Sequence, residues 1–379
     1  MTTTQDTERI ETVIIGGGQA GLAVGYHLTR RGHPYVILDA NERIGDSWRK
    51  RWPSLRLYSP ARASGLPGMR FPAPPHSYPS GLEMGDYLEA YARRFELPVQ
   101  TSVRVDSVSK DGERYVVTAE ERRFETDNVV VATGSFQVEH PMIPAFAGEL
   151  DPTIKQLHSA DYRSPAQLQE GAVLVVGAAH SGGDIAYEVA RAGHLTLLSG
   201  RDTGQIPFDL DGRAARVVFP FLRFVATRVL TVSTPIGRKA KRQIRVHGGP
   251  LLRVKRADLE AVGVERVLEQ TVGVEDGKPV LAGGRVIDVA NVIWCTGFRN
   301  DYEWLRFPVP LDAEGFPEQE RGVVPSSLGL YFVGLPFLHS FASMLIIGAG
   351  RDGERVAKHI VARRSNGRRR ASAKQAIAA

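Results

Sequence analysis

Gly16, Gly18 and Gly21 follow the apolar run Val13-Ile14-Ile15 and open a helical pattern. At this spacing Gly16 permits a tight turn, Gly18 lets backbone approach a pyrophosphate, and Gly21 lets helix pack on strand. The helix start, with Gln19 and Ala20, then aims free N–H groups at two phosphates. Asp39 closes the next apolar run, Tyr35–Leu38, with Ala40 beside it. A carboxylate there accepts hydrogen bonds from an adenosine ribose. The fingerprint alone does not separate FAD from NAD. The proline-rich continuation carrying Trp48, Trp52, Tyr58, Phe71 and Tyr78 reads as an ordered loop over a ligand. It favours FAD, because a flavin needs longer shelter than a nicotinamide.

The arrangement recurs at Gly177-Ala178-Ala179-His180-Ser181-Gly182, after Val173–Val176, with Ala179 in the place of the middle glycine. Its second strand ends on Ser199-Gly200-Arg201. A guanidinium where an acid would mark NAD suits a ribose 2′-phosphate, so NADPH is expected here. His180 either contacts phosphate or is structural. Two such turns predict two dinucleotides with electrons passing between them.

The elements that position these residues read as a repeated order of strand, glycine turn, helix, strand. Both copies end on an apolar strand running into Thr-Gly: Val129–Ala132 into Thr133-Gly134, and Val292–Cys295 into Thr296-Gly297. A small antiparallel meander is expected over Val103–Val108, Tyr115–Ala119 and Arg122–Glu125, and a helix over Glu83–Phe95. The fold class is α/β: two Rossmann-like dinucleotide-binding domains, the NADPH domain inserted in the FAD domain. The boundaries expected are 1–157 with 299–362 for FAD and 158–298 for NADPH. A helical, basic and apolar insertion occupies 213–247. It reads equally as a membrane-surface or partner helix pair and as a lid over the active site.

The formal net charge is +6. Arg363, Arg364, Arg368, Arg369, Arg370 and Lys374 supply all of it without an acid, so 363–379 is expected to be a disordered basic tail. The body shows no basic stripe interleaved with aromatics, which excludes a nucleic-acid surface. Cys295 is the single cysteine. It excludes a disulfide and a Cys-x-x-Cys redox pair, and it reads as buried packing. The polar start to Glu11 has no signal-peptide core, and no apolar run spans a membrane, so a cytoplasmic location is expected. No metal site is expected. Peripheral membrane contact stays open, as do monomer and homodimer.

GGGQAGLA from Gly16, IGDSWRKRW from Ile44, LRLYSP from Leu55 and YPSGLEMGDYLEAYA from Tyr78 form one set of segments. VVVATGSF from Val129, HSADYRSP from His158, VLVVGAAHSGGDIA from Val173, SGRDTG from Ser199, VIWCTGF from Val292, and GLYFVGL from Gly329 followed by GAGRDGERVAKHI extend it. On these, the chain resembles the flavin-containing monooxygenases over almost the whole body, most closely their bacterial and plant YUCCA-type branch. The resemblance implies FAD at the first turn and NADPH at the second. It also implies O2 as co-substrate and a flavin C4a-(hydro)peroxide that oxygenates a small organic substrate. Water is kept out by the protein and retained NADP⁺, without a catalytic triad. It maps flavin contacts to Gly45, Ser47 and Trp48, to Ser59 near the isoalloxazine, and to Val105 and Ala132. It maps interdomain turns to Thr133-Gly134 and Thr296-Gly297, with Ser59 and His158 as catalytic candidates. The substrate pocket is expected between the insertion and Phe337–Leu345, where His339, Phe341 and Met344 could face the flavin. Two departures stand out: Ala179, and nine residues between Gly148 and His158 where the family signature has three. An NADPH:acceptor oxidoreductase or oxidase without oxygen transfer, and a non-catalytic flavoprotein with a binding role, are the competing readings.

Overall fold

The computed structural model describes residues 7–210, 212–246 and 248–378. The expectations that touch Met1–Asp6, Asp211, His247 and Ala379 lie, to that extent, outside the described residues. The amino end opens on β1 (Thr7–Arg9), then β2 (Thr12–Ile15), α1 (Gln19–Thr29), β3 (Val36–Leu38), the single turn α2 (Asp46–Arg49), α3 (Gly81–Arg94) and β4 (Val99–Gln100). The meander β5 (Ser107–Asp111), β6 (Arg114–Ala119) and β7 (Arg122–Thr126) follows, and then β8 (Asn128–Val131). The second unit runs from β9 (Lys155–His158) through β10 (Val173–Val176), α4 (His180–Arg191) and β11 (Thr196–Ser199). It continues through α5 (Arg213–Phe224), α6 (Pro235–Val246), α7 (Arg256–Ala261), β12 (Glu265–Val267), β13 (Thr271–Glu275), β14 (Lys278–Leu281) and β15 (Asn291–Trp294). The chain then returns to the first unit through β16 (Leu330–Phe332) and ends in α8 (Ile346–Ala378).

Two five-stranded, all-parallel sheets carry the fold, in the orders β16-β8-β2-β3-β4 and β12-β11-β10-β15-β9. In each, the chain turns from one side of the strand before the glycine turn, β2 or β10, to the other, which makes the switch point where an open α/β sheet binds its ligand. β16 completes the first sheet only after the whole second sheet has been built, so the second unit is inserted in the first.

Their strands are apolar on both faces because both faces are covered. Ile14, Ile37 and Val130 point into a core with α1, α3 and α8, while Val13, Ile15, Val36, Leu38, Val129 and Val131 point to the meander side. The second sheet alternates likewise: Val173, Val175 and Ile293 face one core, and Leu174, Val292 and Trp294 the other. α3 starts on a capping box. Ser80 Oγ accepts from Glu83 N at 3.1 Å, and Ser80 N donates to Glu83 Oε2 at 2.7 Å.

One strand is unforeseen and two expectations are corrected. The polar N-terminal stretch contains β1, which pairs in parallel with β7. This pairing was not expected, because all three residues of β1 are exposed and show no apolar alternation. The first meander strand begins at Ser107 rather than Val103. Val103 N instead donates to Asp39 O at 3.0 Å, so the chain carrying Val105 runs past the end of β3. The basic tail, expected to be disordered, continues α8 to Ala378. Its alanines, arginines and lysine are strong helix formers extending a helix already nucleated. Within 213–246, α5 and α6 are joined through a π-helical turn at Val225–Val229. No helix among the described residues is long and apolar enough to cross a membrane.

α8 crosses α1 where a side chain is missing. A Cβ on Gly353 would lie 2.9 Å from both Ala23 C and Val24 N. Gly353→Leu should therefore push the two helices apart and lower the unfolding midpoint, at a cost of about 1–3 kcal/mol. Thermal melts of the purified protein check this, and an unchanged midpoint would show that the helices do not meet there.

Candidate functional site

Each glycine turn is built against the strand that ends in Thr-Gly. Gly16 N donates to Leu38 O at 2.8 Å, and Ala132 N donates to Ile15 O at 2.8 Å. Gly177 N donates to Ser199 O at 2.8 Å, and Cys295 N donates to Val176 O at 2.7 Å. Gly16 and Gly177 have φ of +111° and +104°, a region that favours glycine. A Cβ on Gly16 would sit 2.6 Å from Ala132 O, and one on Gly177 would collide with Cys295 O. Side chains on Gly21 and Gly182 would run into the carbonyls of Gly16 and Gly177. The two turns are thus the same device used twice.

No side chain caps the first turn of α1 or α4, and neither turn holds an acid. Their leading N–H groups are left for an anion at the switch point. A Cβ on Gly18 would meet no protein atom within 4 Å, so the space in front of α1 is open. The residues there fit the pyrophosphate of a dinucleotide.

Around the first turn the structure gathers Gln19, Ala20, Trp48, Gly134 and Asp39. Trp48 Nε1 donates to Gln19 Oε1 at 3.2 Å. A Cβ on Gly334 would lie 3.1 Å from Ala20 Cβ and 3.8 Å from Gly134 Cα. Asp39 is buried and braces the turn: Oδ2 accepts from Gly17 N at 2.6 Å, and Oδ1 accepts from Asn41 N at 2.8 Å and Nδ2 at 2.9 Å. Gly45 abuts α3, where a Cβ would lie 2.7 Å from Gly85 Cα. Ala40, Ser47 and Thr133 are exposed, and Val105 packs at the edge of the meander core. Ser59 Oγ shares a hydrogen bond of 2.9 Å with Ser64 Oγ. The proline-rich loop also borders a groove of about 870 Å³ lined by Leu66, Met69, Phe71, Arg70, Arg223 and Ile347.

The second turn is more enclosed. A Cβ on Gly200 would lie 3.2 Å from Ala178 N, so the Ser199–Arg201 corner stands against the turn. Ser199 points inward, its Oγ donating to Glu269 O at 2.8 Å and lying 3.0 Å from Thr271 Oγ1. Arg201 is exposed at the corner. Arg266, which sequence reasoning passed over, holds that corner from β12: its Nη1 donates to Leu198 O at 2.8 Å and its Nη2 to Gly200 O at 2.6 Å. A lone arginine in a short strand gave no signal of this. Gly248 and Gly249 lie over the turn, where a Cβ on Gly248 would lie 2.6 Å from Ala179 Cβ and one on Gly249 would meet the His180 ring. The His180 ring packs on Tyr58 at 5.2 Å, and burial pulls its pKa down to about 4. It is neutral at pH 7 and is no cation for phosphate; Ser181 is half-buried beside it.

His158 ends β9, and both of its ring nitrogens are taken. Nδ1 accepts from Ala160 N at 3.2 Å, which fixes the tautomer with the proton on Nε2, donating to Gly297 O at 3.1 Å. Gly297 O also accepts from Met142 N at 3.0 Å, and Thr296 Oγ1 donates to Met142 O. This geometry makes His158 a clamp on the second Thr-Gly turn. Burial raises the Cys295 thiol pKa.

A polar seam that the sequence did not announce joins the two units. Tyr58 OH donates to Asp184 Oδ2 at 2.7 Å, and Glu188 Oε2 accepts from Ser54 Oγ and Tyr162 OH, both at 3.1 Å. Arg253 lies over the Tyr78 ring at 5.0 Å and donates to Leu57 O at 3.3 Å. The insertion docks on the Phe337–Leu345 segment: Val232 N donates to His339 O and Phe341 N to Leu230 O, each at 2.9 Å. Burial, then Arg355, Arg351, Arg321 and Arg228, lower the His339 pKa to about 4.

Residues 13–211 match the family described as pyridine nucleotide-disulphide oxidoreductase. The chain is 37% identical over 352 residues to an uncharacterized CzcO-like oxidoreductase of Geobacillus kaustophilus, covering 93% of this chain and 98% of that protein. It is 27% identical to the probable indole-3-pyruvate monooxygenase YUCCA8 of Arabidopsis thaliana, covering 92% and 88%. Among solved structures it matches a flavin-containing monooxygenase from Stenotrophomonas maltophilia with a TM-score of 0.77 and 29% identity, covering 94% of this chain and 99% of that one.

Burial, opposed by the Tyr58 hydrogen bond and Arg253, raises the Asp184 pKa to about 6. A folded-state pKa above the unfolded one favours folding while the group is protonated. That contribution is lost as pH rises from about 4 to about 6. Asp184→Asn keeps an acceptor for Tyr58 and removes the titration. The variant should gain stability over wild type across this interval, on the order of 2 kcal/mol, and hold the gain above it. Unfolding midpoints of both proteins from pH 4 to 8 check this; a constant difference would contradict it.

Proposed function

The chain belongs to the flavin-containing monooxygenase-like group of FAD- and NADPH-dependent oxidoreductases, and from that premise we propose that it oxygenates a small organic substrate with O2. The observation that carries the reading is the twinned turn: two glycine-built helix starts, each at the switch point of its own parallel sheet. α1 holds the FAD pyrophosphate on the N–H groups after Gly18, with Asp39 bracing the turn beneath it. α4 holds the NADPH pyrophosphate, and Arg201, on a corner fixed by Arg266, meets the 2′-phosphate. Bound flavin supplies the acceptance of hydride and the activation of O2. The protein orients and shelters: Trp48 is steadied by Gln19, the proline-rich loop is bound to α4 by the Tyr58–Asp184 seam, and neutral His158 fixes the Thr296–Gly297 turn. With Cys295 as the single cysteine, disulfide reduction through a cysteine pair in this chain is excluded.

A second reading, an NADPH oxidase that releases reduced oxygen without transferring it, is favoured by one feature. Ala179 with Gly248 above it narrows the second turn where the nucleotide would lie closest.

Turnover with NADPH under ¹⁸O2 tests the proposal. One ¹⁸O in the product per NADPH consumed is the expected result, and hydrogen peroxide as the sole product of NADPH consumption would favour the oxidase. Gly18→Val is the control, since its side chain meets no protein atom within 4 Å at Cβ and intrudes only on the pyrophosphate space. It should fold and be colourless; a yellow variant would contradict the placing of FAD at the first turn.

A further inference from the structure

α5 is apolar on two opposite sides. Ala215, Val218 and Phe219 turn toward the protein, with Ala215 buried, and Arg62 Nη2 ties the helix down by donating to Arg216 O at 2.8 Å. On the opposite side Val217, Phe221 and Phe224 recur at i, i+4 and i+7 and are 78%, 64% and 57% exposed. A helix apolar on both faces is expected to have both covered. The outer stripe lies away from the side that meets the proline-rich loop, where Arg62 and Pro60 stand against Ala215 and Arg216.

The charge of the segment is one-sided. Positions 213–247 hold nine lysines and arginines and no acid, while the whole chain is only +6. Arg213, Arg216 and Arg223 flank the stripe on α5, and Arg238, Lys239 and Arg242 are exposed on α6 beside Ile236, itself 63% exposed. A second copy of the chain does not fit, because a two-fold contact would bring these cations against themselves. An apolar stripe edged by cations fits a surface that is apolar within and anionic at its rim.

We propose that the outer face of α5, with the exposed cations of α6, docks the protein on an anionic phospholipid bilayer. Val217, Phe221 and Phe224 enter the headgroup–acyl boundary, and the arginines and lysines meet lipid phosphates. Arg223 lies both on α5 and on the groove bordered by residues 61–75, so docking brings the groove beside the lipid surface. The proposal rests on surface chemistry alone and stands apart from the reaction catalysed.

Flotation of the full-length, FAD-loaded protein with two vesicle types tests it: phosphatidylcholine alone, and phosphatidylcholine with an equal part of phosphatidylglycerol. Binding to the second type, weakened by salt, is expected. V217E/F221E should lower the partition by on the order of tenfold at unchanged flavin content and thermal midpoint. Three results would overturn the proposal: no binding to the anionic vesicles, equal binding to both vesicle types, or equal binding by wild type and variant. A concentration-dependent dimer that V217E/F221E dissolves would overturn it as well, giving the stripe to a second copy.

Discussion

The close approach of helix to strand at the two glycine turns is the constraint on which the rest of the structure depends. Gly21 and Gly182 each stand where any side chain would strike the carbonyl of the turn's first glycine. That contact fixes the helix start against the end of the central strand, with its N–H groups facing outward. Behind each turn the backbone of Ala132 or Cys295 closes the space, which is why an apolar strand running into Thr-Gly accompanies each turn. The sheets, their two-sided cores and the long α8 across α1 serve to hold that contact in place.

The two copies differ in what lies in front of them. Space opens before Gly18, whereas Gly248 and Gly249 cover Ala179 and His180. His180 is consequently neutral and packed on Tyr58. Positive charge at the second site comes instead from the corner of β11, where Arg266 holds the backbone and leaves Arg201 exposed. The seam of Tyr58, Asp184 and Glu188 lies between the open site and the covered one. It is the polar link between the proline-rich loop and α4.

The turns, the parallel strands and the helices after them were legible in the sequence because their signals are local. A glycine spacing, an apolar run and a capping box each lie within a few residues. β16 returns to the first sheet from nearly two hundred residues away, so its apolar Leu330–Phe332 run does not name its partner strand, and β1 pairs with β7 through a parallel ladder and a Glu8–Arg122 ion pair that no apolar alternation announces. Arg266 and Asp184 were missed for the same reason: each acts on a segment distant in the chain, and an arginine in a strand or an aspartate in a helix usually faces water. Ser199 shows the reverse error. It stands two residues before Arg201 in sequence, but strand alternation turns it into the core, toward Thr271. The tail was misread because its composition resembles a disordered segment, while an existing helix needs no new nucleus to extend.

The central claim is that two nucleotides sit at the two turns and that electrons pass from one to the other. Anaerobic mixing of the yellow protein with NADPH, and separately with NADH, measures this directly through bleaching of the bound flavin. The account predicts reduction by both, with NADPH effective at the lower concentration, as the proposed pairing of Arg201 with the 2′-phosphate requires. A flavin that stays oxidised with either nucleotide would contradict it.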